Sequence, residues 1–253
     1  EFVTVTVRTD KLPSEDNQKL ELYFPLALMA LCAGIFFYGL GNLPLIGPDE
    51  PRYAQVAREM FNHGDWVTTT LGGIHWFEKP ALTYWLSAAG YWLFGETELG
   101  ARFFIAVFAT AGVLLVYGFG KRIRSAQYGF FSAAVLATCG MWPGFARVAT
   151  FDLTLSVAMA LALVSFFVWE RNEEQQGRSR FFFVGCLALG VAVLAKGLVG
   201  IVLPSAIIGI YLLLTRRLKI VFNPKLLLIG VVIFLATAAT WYAPVIAKHG
   251  REF

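Results

Sequence analysis

Long runs of apolar residues constrain the fold of this chain more than any other feature. A helix needs about 20 apolar residues to cross a bilayer. The candidate spans are 22–41, 101–120, 126–145, 153–169, 181–195, 201–215 and 226–247. Only 15% of the residues are charged, against roughly 25% in soluble domains. The sequence therefore predicts an all-α polytopic membrane protein with about seven transmembrane helices.

Lysine and arginine are concentrated in three connecting segments, 121–125, 170–180 and 216–225. These segments carry ten basic residues within 26 positions, whereas the segments assigned to the opposite side carry seven within 77. Because basic loops favour the cytoplasm, the N-terminus is predicted inside and residues 42–100 outside. This topology requires a hairpin at 196–200, between two short helices.

The two ends of the chain give further expectations. Residues 1–20 are polar and lack the basic-then-apolar pattern of a cleaved signal. We therefore expect a polar cytoplasmic tail, followed by one membrane domain over 21–253. Seven spans would leave the C-terminus outside without a closing span, which favours a piece of a longer protein.

The outer loop 42–100 is far longer than an ordinary connection, and long loops tend to be functional. From Asp49 to Gly64, apolar residues recur at helical spacing beside a polar face. This pattern predicts an amphipathic helix that lies on the membrane surface. A second, shorter helix is expected from Pro80 to about Phe94, where tyrosines and tryptophans suit the lipid interface.

Paired charges in this loop are the first candidates for chemistry. Asp49 and Glu50 can favour the positive end of a helix dipole, or a carboxylate there can act as a general base. Glu78 and Lys79 form either an ordinary surface pair or a site in which the lysine holds an anion and the glutamate a cation or an acceptor. The sequence alone leaves both alternatives open.

Two further charged residues begin or end predicted spans. A lysine at the depth of Lys196 costs about 2.5–3.5 kcal/mol on insertion scales, less if its amine reaches water, and it could hold a lipid-borne phosphate. Asp152 is either a dipole-favoured acid or part of the same surface. The predicted topology brings these groups to the outer face, which points to a site for a phosphate-bearing lipid and a proton transfer.

Other kinds of site have little support. The sequence contains no GxxxxGK[ST] loop and no GxGxxG between a strand and a helix, and no nucleic-acid-binding module, so no nucleic acid partner is expected. His63, His75 and His249 are far apart and lack zinc-site spacing. A transporter or flippase of a lipid-linked or anionic solute is the alternative function, although no internal repeat typical of transporters is found. A partner-binding membrane subunit without activity is a third.

Five motifs, in order, resemble those of a known enzyme family. They are DEPRYAQVAREM from Asp49, GDW from Gly64, FEKPALTYWLSAAGYWLFG from Phe77, FDLTLSVAMAL from Phe151 and LAKGLVGIVLP from Leu194. The chain resembles the N-terminal half of bacterial membrane glycosyltransferases of the protein O-mannosyltransferase and lipid A aminoarabinose transferase superfamily. The resemblance implies a GT-C fold and an inner-membrane enzyme whose active face is periplasmic. It also implies transfer of a sugar, with inversion, from a polyprenyl-phosphate donor to a lipid, glycan or protein acceptor.

The resemblance further implies catalytic and donor-binding roles for individual residues. Asp49 matches the acid proposed as the catalytic base, and Asp152 matches a further acid at the mouth of the cavity. Arg52, Lys79 and Lys196 are assigned to the donor phosphate. A phosphate leaving group gains negative charge as the glycosidic bond breaks, and cations stabilise that charge.

Substrate-binding and metal-binding roles complete the expected site. Tyr53, Glu50 and Trp76 are assigned to substrate contacts, with Trp76 standing where aminoarabinose transferases tend to have tyrosine. Glu78 matches a carboxylate tied to a metal or to the acceptor, so a divalent cation is the candidate cofactor and Glu78 its candidate ligand.

Overall fold

The computed structural model of this chain describes residues 15–171, 178–221 and 223–253, and these form an almost entirely helical protein. The α-helices are α1 (Glu15–Cys32), α2 (Asp49–His63), α3 (Leu82–Phe94), α4 (Glu98–Ile123), α5 (Ala126–Thr138), α6 (Met141–Ala146), α7 (Phe151–Arg171), α8 (Arg178–Lys196), α9 (Val199–Leu214) and α10 (Pro224–His249). A π-helical turn (Ala33–Phe37) extends α1, and short 3₁₀ helices cover Leu218–Val221 and Gly250–Glu252.

A small antiparallel hairpin lies between α2 and α3. Its strands are β1 (Thr70–Leu71) and β2 (Ile74–His75), with Thr70 opposite His75 and Leu71 opposite Ile74. Gly72 and Gly73 connect the strands with φ angles of 64° and 78°. Glycine adopts this left-handed conformation without a steric penalty, which permits the tight turn.

The described residues contain four helices long and apolar enough to cross a membrane. These candidate spans are Glu98–Ile123, Phe151–Arg171, Ser179–Lys196 and Pro224–Glu252, and shorter apolar helices cover Leu22–Phe37 and Val199–Leu214. The six helices match six of the predicted spans, which confirms an all-α membrane architecture. The predicted break between α8 and α9 is also confirmed, because Gly197 turns the chain with a φ angle of 75°.

One predicted span, 126–145, is not a continuous helix. α5 ends at Thr138, Cys139 has extended backbone with a ψ angle of 117°, and the six-residue α6 resumes at Met141. Pro143 fits in the first turn of α6, where its missing N–H would have no helical partner. The prediction of a single helix here is wrong, because two short helices replace it.

The start of the chain also differs from expectation. The predicted polar tail 1–20 lies largely outside the described residues, and the described part of the chain is already helical from Glu15. α1 therefore begins ahead of the predicted start of the first span at residue 22.

Close helix packing holds the long loop 42–100 against the helical bundle. α4 packs against α1, α3, α5 and α7, and α8 packs against α7, α9 and α10. α3 approaches α4 so closely that a Cβ on Gly90 would lie 1.9 Å from the carbonyl oxygen of Gly100. The hydroxyl of Tyr91 on α3 then donates to the carbonyl of Ala54 on α2, at 3.1 Å. In this way α2, the predicted surface helix, is held on the membrane domain.

Candidate active site

α2 has a buried face and a surface face, as its amphipathic pattern predicts. Tyr53, Val56, Ala57 and Met60 are buried, whereas Arg52 and Glu59 are only partly buried. Gly64 ends the helix with a φ angle of 66°, as expected of a glycine at this position. The predicted helix and its end are therefore confirmed.

Tyr53 lies at the junction of three helices. Its ring packs edge-on against Phe151 at the start of α7, with centroids 4.6 Å apart, and against Tyr84 of α3 at 6.3 Å. Tyr84 and Phe151 also contact each other, at 5.2 Å. These three rings form an aromatic cluster at one end of the bundle.

Six predicted site residues form three ion pairs at this end of the bundle. Asp49 accepts from Arg52 at 3.2 Å, Glu78 pairs with Lys79 at 3.1 Å, and Asp152 accepts from Lys196. All six side chains are partly exposed, from 25% for Lys79 to 58% for Asp49. Exposed pairs of this kind contribute little to stability, about 0–1 kcal/mol each. Their cations can therefore exchange partners at low cost.

Acids from all three pairs lie close enough to Tyr53 to affect its pKa. Burial raises the pKa of Tyr53, and the carboxylates of Asp49 and Glu78 raise it further. The Arg52 guanidinium opposes this rise, and Asp152 adds to it. Acids from three separate segments thus lie within electrostatic reach of one hydroxyl, as the predicted topology requires.

The two lysines of the predicted phosphate site belong to adjoining segments. A Cβ on Gly197, next to Lys196, would lie 4.0 Å from the ring of Pro80, which follows Lys79. The same position is 3.8 Å from the hydroxyl of Tyr242 on α10. The α8–α9 turn therefore borders the segment that carries Glu78 and Lys79.

Trp76 joins this surface through Arg52. The Arg52 guanidinium lies 5.7 Å from the centre of the Trp76 ring, within the range of a cation–π interaction. The Trp76 indole nitrogen and the Tyr84 hydroxyl are buried, and neither makes a hydrogen bond of good geometry with the described residues. The two groups also lie close enough to interact with each other.

Glu50 differs from its neighbour Asp49. Its side chain is fully buried, with the residue 1% exposed. Its oxygens accept from Arg102 at 2.7 and 2.9 Å, from the Ile46 amide at 2.6 Å and from the Ala149 amide at 2.8 Å. The predicted substrate contact by Glu50 is not found here, because these donors surround the carboxylate below the surface. Glu50 instead anchors the start of α2.

Sequence reasoning overlooked Arg102, the partner of Glu50. Arg102 is 2% exposed and also donates to the carbonyls of Leu40, Leu43 and Pro44, at 2.8–3.0 Å. The available signal was an arginine inside a predicted span, since charges at that depth are rare and usually paired.

The hairpin is fixed to α2 by Glu59, which was likewise overlooked. Its carboxylate accepts from the Thr70 hydroxyl at 2.7 Å and from the amides of Gly72 and Gly73 at 2.7 and 3.2 Å. Burial alone would raise the pKa of Glu59, but these bonds and one from Gln55 outweigh burial and lower it to about 2. The hairpin therefore depends on an ionised Glu59.

The end of α10 is bound to the same loop by three contacts. Lys248 donates to Asp65 at 2.6 Å, the Trp241 indole donates to the Val67 carbonyl at 3.0 Å, and the His249 ring nitrogen Nε2 lies 2.9 Å from the Thr68 hydroxyl. Burial would raise the pKa of Asp65, but Lys248 and the donors of Thr68 and Val67 lower it overall.

Glu78, the predicted metal ligand, is engaged by Lys79. Among the described residues, the group of metal-capable side chains that lie close together consists of His75, His249 and Glu252, whose ligand atoms are all within 4.8 Å of one another. Glu78 is not a member of that group.

The chain is similar to known membrane transferases. Two curated relatives are undecaprenyl phosphate-alpha-4-amino-4-deoxy-L-arabinose arabinosyl transferases. The protein of Aeromonas hydrophila is 30% identical over 223 residues, covering 86% of this chain and 40% of the relative. That of Pseudomonas aeruginosa (strain LESB58) is 32% identical over 231 residues, covering 89% and 41%.

Solved structures agree with these relatives. The crystal structure of ArnT from Cupriavidus metallidurans bound to undecaprenyl phosphate superposes with a TM-score of 0.82 at 33% identity, covering 88% of this chain and 41% of that one. The apo structure gives 0.83 at 32% identity, covering 90% and 43%. The expected GT-C fold is thus confirmed, and the chain spans about two fifths of the length of these proteins.

A match to a protein-family model shows which family the chain belongs to. The model described as dolichyl-phosphate-mannose-protein mannosyltransferase matches residues 78–243. This match includes Glu78, Lys79, Asp152 and Lys196 and covers well over half of the sequence. The chain therefore belongs to the dolichyl-phosphate-mannose-protein mannosyltransferase family.

Proposed function

We propose that this chain forms part of an integral-membrane glycosyltransferase that moves a sugar from a polyprenyl-phosphate donor to a lipid, glycan or protein acceptor. The observation that carries the proposal is the convergence of three partly exposed ion pairs around Tyr53. The relatives, named for an undecaprenyl phosphate-linked sugar, and the ArnT structure bound to undecaprenyl phosphate support this donor class.

Donor binding is assigned to Arg52, Lys79 and Lys196. Each cation already sits beside a carboxylate of the same surface. A phosphate carries a similar charge and offers more acceptor oxygens, so it can replace these carboxylates as the partner. As the glycosidic bond breaks, negative charge grows on the leaving phosphate, and the same cations stabilise it.

Proton transfer is assigned to Asp49. When Arg52 turns toward the phosphate, Asp49 loses its ion-pair partner and faces the acceptor as a free carboxylate. It can then take the proton of an acceptor hydroxyl. Asp152, freed from Lys196 in the same way, is the second acid of the site. A single displacement of this kind inverts the configuration at the sugar carbon.

The substrate-facing surface is assigned to Tyr53 and Trp76. Trp76 carries a buried indole nitrogen beside the cation–π contact with Arg52, so a substrate oxygen there would satisfy that nitrogen. Glu78 belongs to no group of three or more metal-capable side chains among the described residues, and its carboxylate is paired with Lys79. Glu78 is therefore assigned to the ion pair with Lys79 and not to a metal ion.

The active face is assigned to the periplasmic side of a bacterial inner membrane. Asp152 begins α7 and Lys196 ends α8, so the ion pairs lie at one end of the bundle. Lys121 and Arg122 end α4 at the opposite end. Basic segments favour the cytoplasm, which leaves the ion-pair end outside.

The test is sugar transfer by the full-length protein with a polyprenyl-phosphate donor. Asp49→Asn should lower transfer by at least about 100-fold, the lower range for general-base catalysis. The matched control is Glu96→Gln, an exposed acid of the same loop that pairs with Arg58. Full transfer by D49N would exclude Asp49 as the base. Flux of a lipid-linked solute without any sugar transfer by the unmodified protein would favour the transporter instead.

A further inference from the structure

Two histidines and a glutamate from distant parts of the sequence meet at the outer end of the bundle. His75 lies on β2, His249 ends α10, and Glu252 follows in the 3₁₀ turn. One ligand atom from each lies within 4.8 Å of the other two. None of these residues takes part in the three ion pairs around Tyr53, so this cluster is separate from the proposed active site.

The ligand types suit a borderline-soft divalent cation. Zinc binds histidine nitrogen at about 2.0–2.1 Å and carboxylate oxygen at a similar distance, usually with tetrahedral geometry. Ligand atoms in such a site lie about 3.3 Å apart. His75 Nδ1 and Glu252 Oε2 are already 3.2 Å apart. Two imidazoles disfavour magnesium and calcium, which prefer oxygen ligands.

The surroundings hold both imidazoles in place. Thr68 lies 2.9 Å from Nε2 of His249, and if this nitrogen donates, Nδ1 keeps its lone pair for a metal. Histidine ligands usually donate their second ring nitrogen in this way. Phe77 packs beside both rings, with centroids 5.4 Å from His75 and 5.0 Å from His249, and provides an apolar wall.

Protein contacts bring the three ligands together without an ion. Lys248 pairs with Asp65, and Trp241 donates to the Val67 carbonyl, so the end of α10 is bound to the loop just ahead of the hairpin. Preorganisation of this kind lowers the cost of binding. A metal ion would add a direct link from β2 to α10.

We propose that His75, His249 and Glu252 bind a zinc ion that fastens the hairpin to the end of α10. Water would fill the fourth coordination position. Because His75 directly precedes the segment 76–79, the ion would fix the segment that carries Glu78 and Lys79, one of the three ion pairs of the proposed active site. The role of the ion is positional, and the proposal stands without the glycosyltransferase activity.

Cobalt and zinc ions alone test the proposal on full-length protein in detergent, prepared without a polyhistidine tag. Co²⁺ in a site of this geometry gives visible absorption bands, and Zn²⁺ should displace it at one ion per chain. His75→Ala and His249→Ala should each lower the affinity at least tenfold. His63→Ala, the control, should not change it, because His63 ends α2 outside the cluster.

A second variant distinguishes a specific zinc site from nonspecific zinc binding. Thr68→Val removes the hydroxyl beside His249 and should weaken zinc binding by about 10–100-fold, as expected for loss of a partner that orients a ligand. Circular dichroism would verify that each variant keeps its helices. Equal zinc affinity in H75A, H249A and the unmodified protein would overturn the proposal, as would the absence of saturable binding in the unmodified protein. In either case His75 and Glu252 would form only a hydrogen-bonded pair.

Discussion

Arg102 on α4 holds both carboxylate oxygens of Glu50 on α2, at 2.7 and 2.9 Å. The two residues are 52 positions apart in sequence and are almost completely buried. Their contact fixes the first turn of α2, so that the adjacent Asp49 can remain exposed at the surface. Glu50, which stabilises the fold, and Asp49, the candidate catalytic base, are thus adjacent in sequence.

Loss of the Glu50 carboxylate should destabilise the fold. Glu50→Ala leaves Arg102 buried without a counter-charge, which costs roughly 3–5 kcal/mol. Denaturant unfolding in detergent measures this change. The control is Glu96→Ala, which breaks an exposed pair with Arg58 and should cost at most about 1 kcal/mol. Equal stability of E50A and E96A would refute the structural assignment of Glu50.

Asp49 should show the opposite behaviour. Its side chain is 58% exposed and its pair with Arg52 is at the surface, so D49N should change the free energy of unfolding by less than about 1 kcal/mol. Transfer activity should nevertheless be lost. A D49N protein that is both unfolded and inactive would leave Asp49 with a structural role only.

The contact between α3 and α4 should depend on glycine. A Cβ on Gly90 would lie 1.9 Å from the Gly100 carbonyl oxygen, so Gly90→Ala must push α3 away from α4. This shift would also disturb α2, which packs against α3. Overpacking of this kind costs typically 1–3 kcal/mol. Gly118→Ala on α4 is the control, since its Cβ would meet no atom within 4 Å. Unfolding midpoints that fall equally for both variants would contradict the packing account.

The hairpin should lose stability in acid. The pKa of Glu59 is lowered from 4.5 to about 2 in the folded state, so its stabilising effect is present above pH 4.5 and disappears as the pH falls toward 2. The difference in unfolding free energy between the unmodified protein and Glu59→Gln should shrink over that range. A difference independent of pH would argue against the hydrogen bonds assigned to Glu59.

The helices of this chain follow from local patterns. Apolar runs predict α4, α7 and α10, and helical spacing with a closing glycine predicts α2 and its end at Gly64. The break near Cys139 was missed because the apolar character of 126–145 is continuous across it. Hydropathy indicates whether a segment is apolar but not where a helix within it ends, so it does not separate α6 from α5.

The site was only partly predictable for a different reason. Topology alone places Asp49, Glu78 and Asp152 at one end of the bundle, because the first two lie in the loop 42–100 and Asp152 lies in the first turn of α7. The partner of Glu50 and the meeting of His75 with His249 depend on contacts across 52 and 174 positions. No spacing rule in the sequence encodes contacts of that range.

The most direct test of the central claim is the affinity of the full-length protein for undecaprenyl phosphate. If Lys79 and Lys196 exchange their carboxylates for the donor phosphate, K79Q and K196Q should each weaken binding at least tenfold. K225Q, at the opposite end of the bundle, and D49N should bind as tightly as the unmodified protein. Unchanged affinity in the K79Q/K196Q double variant would contradict the account.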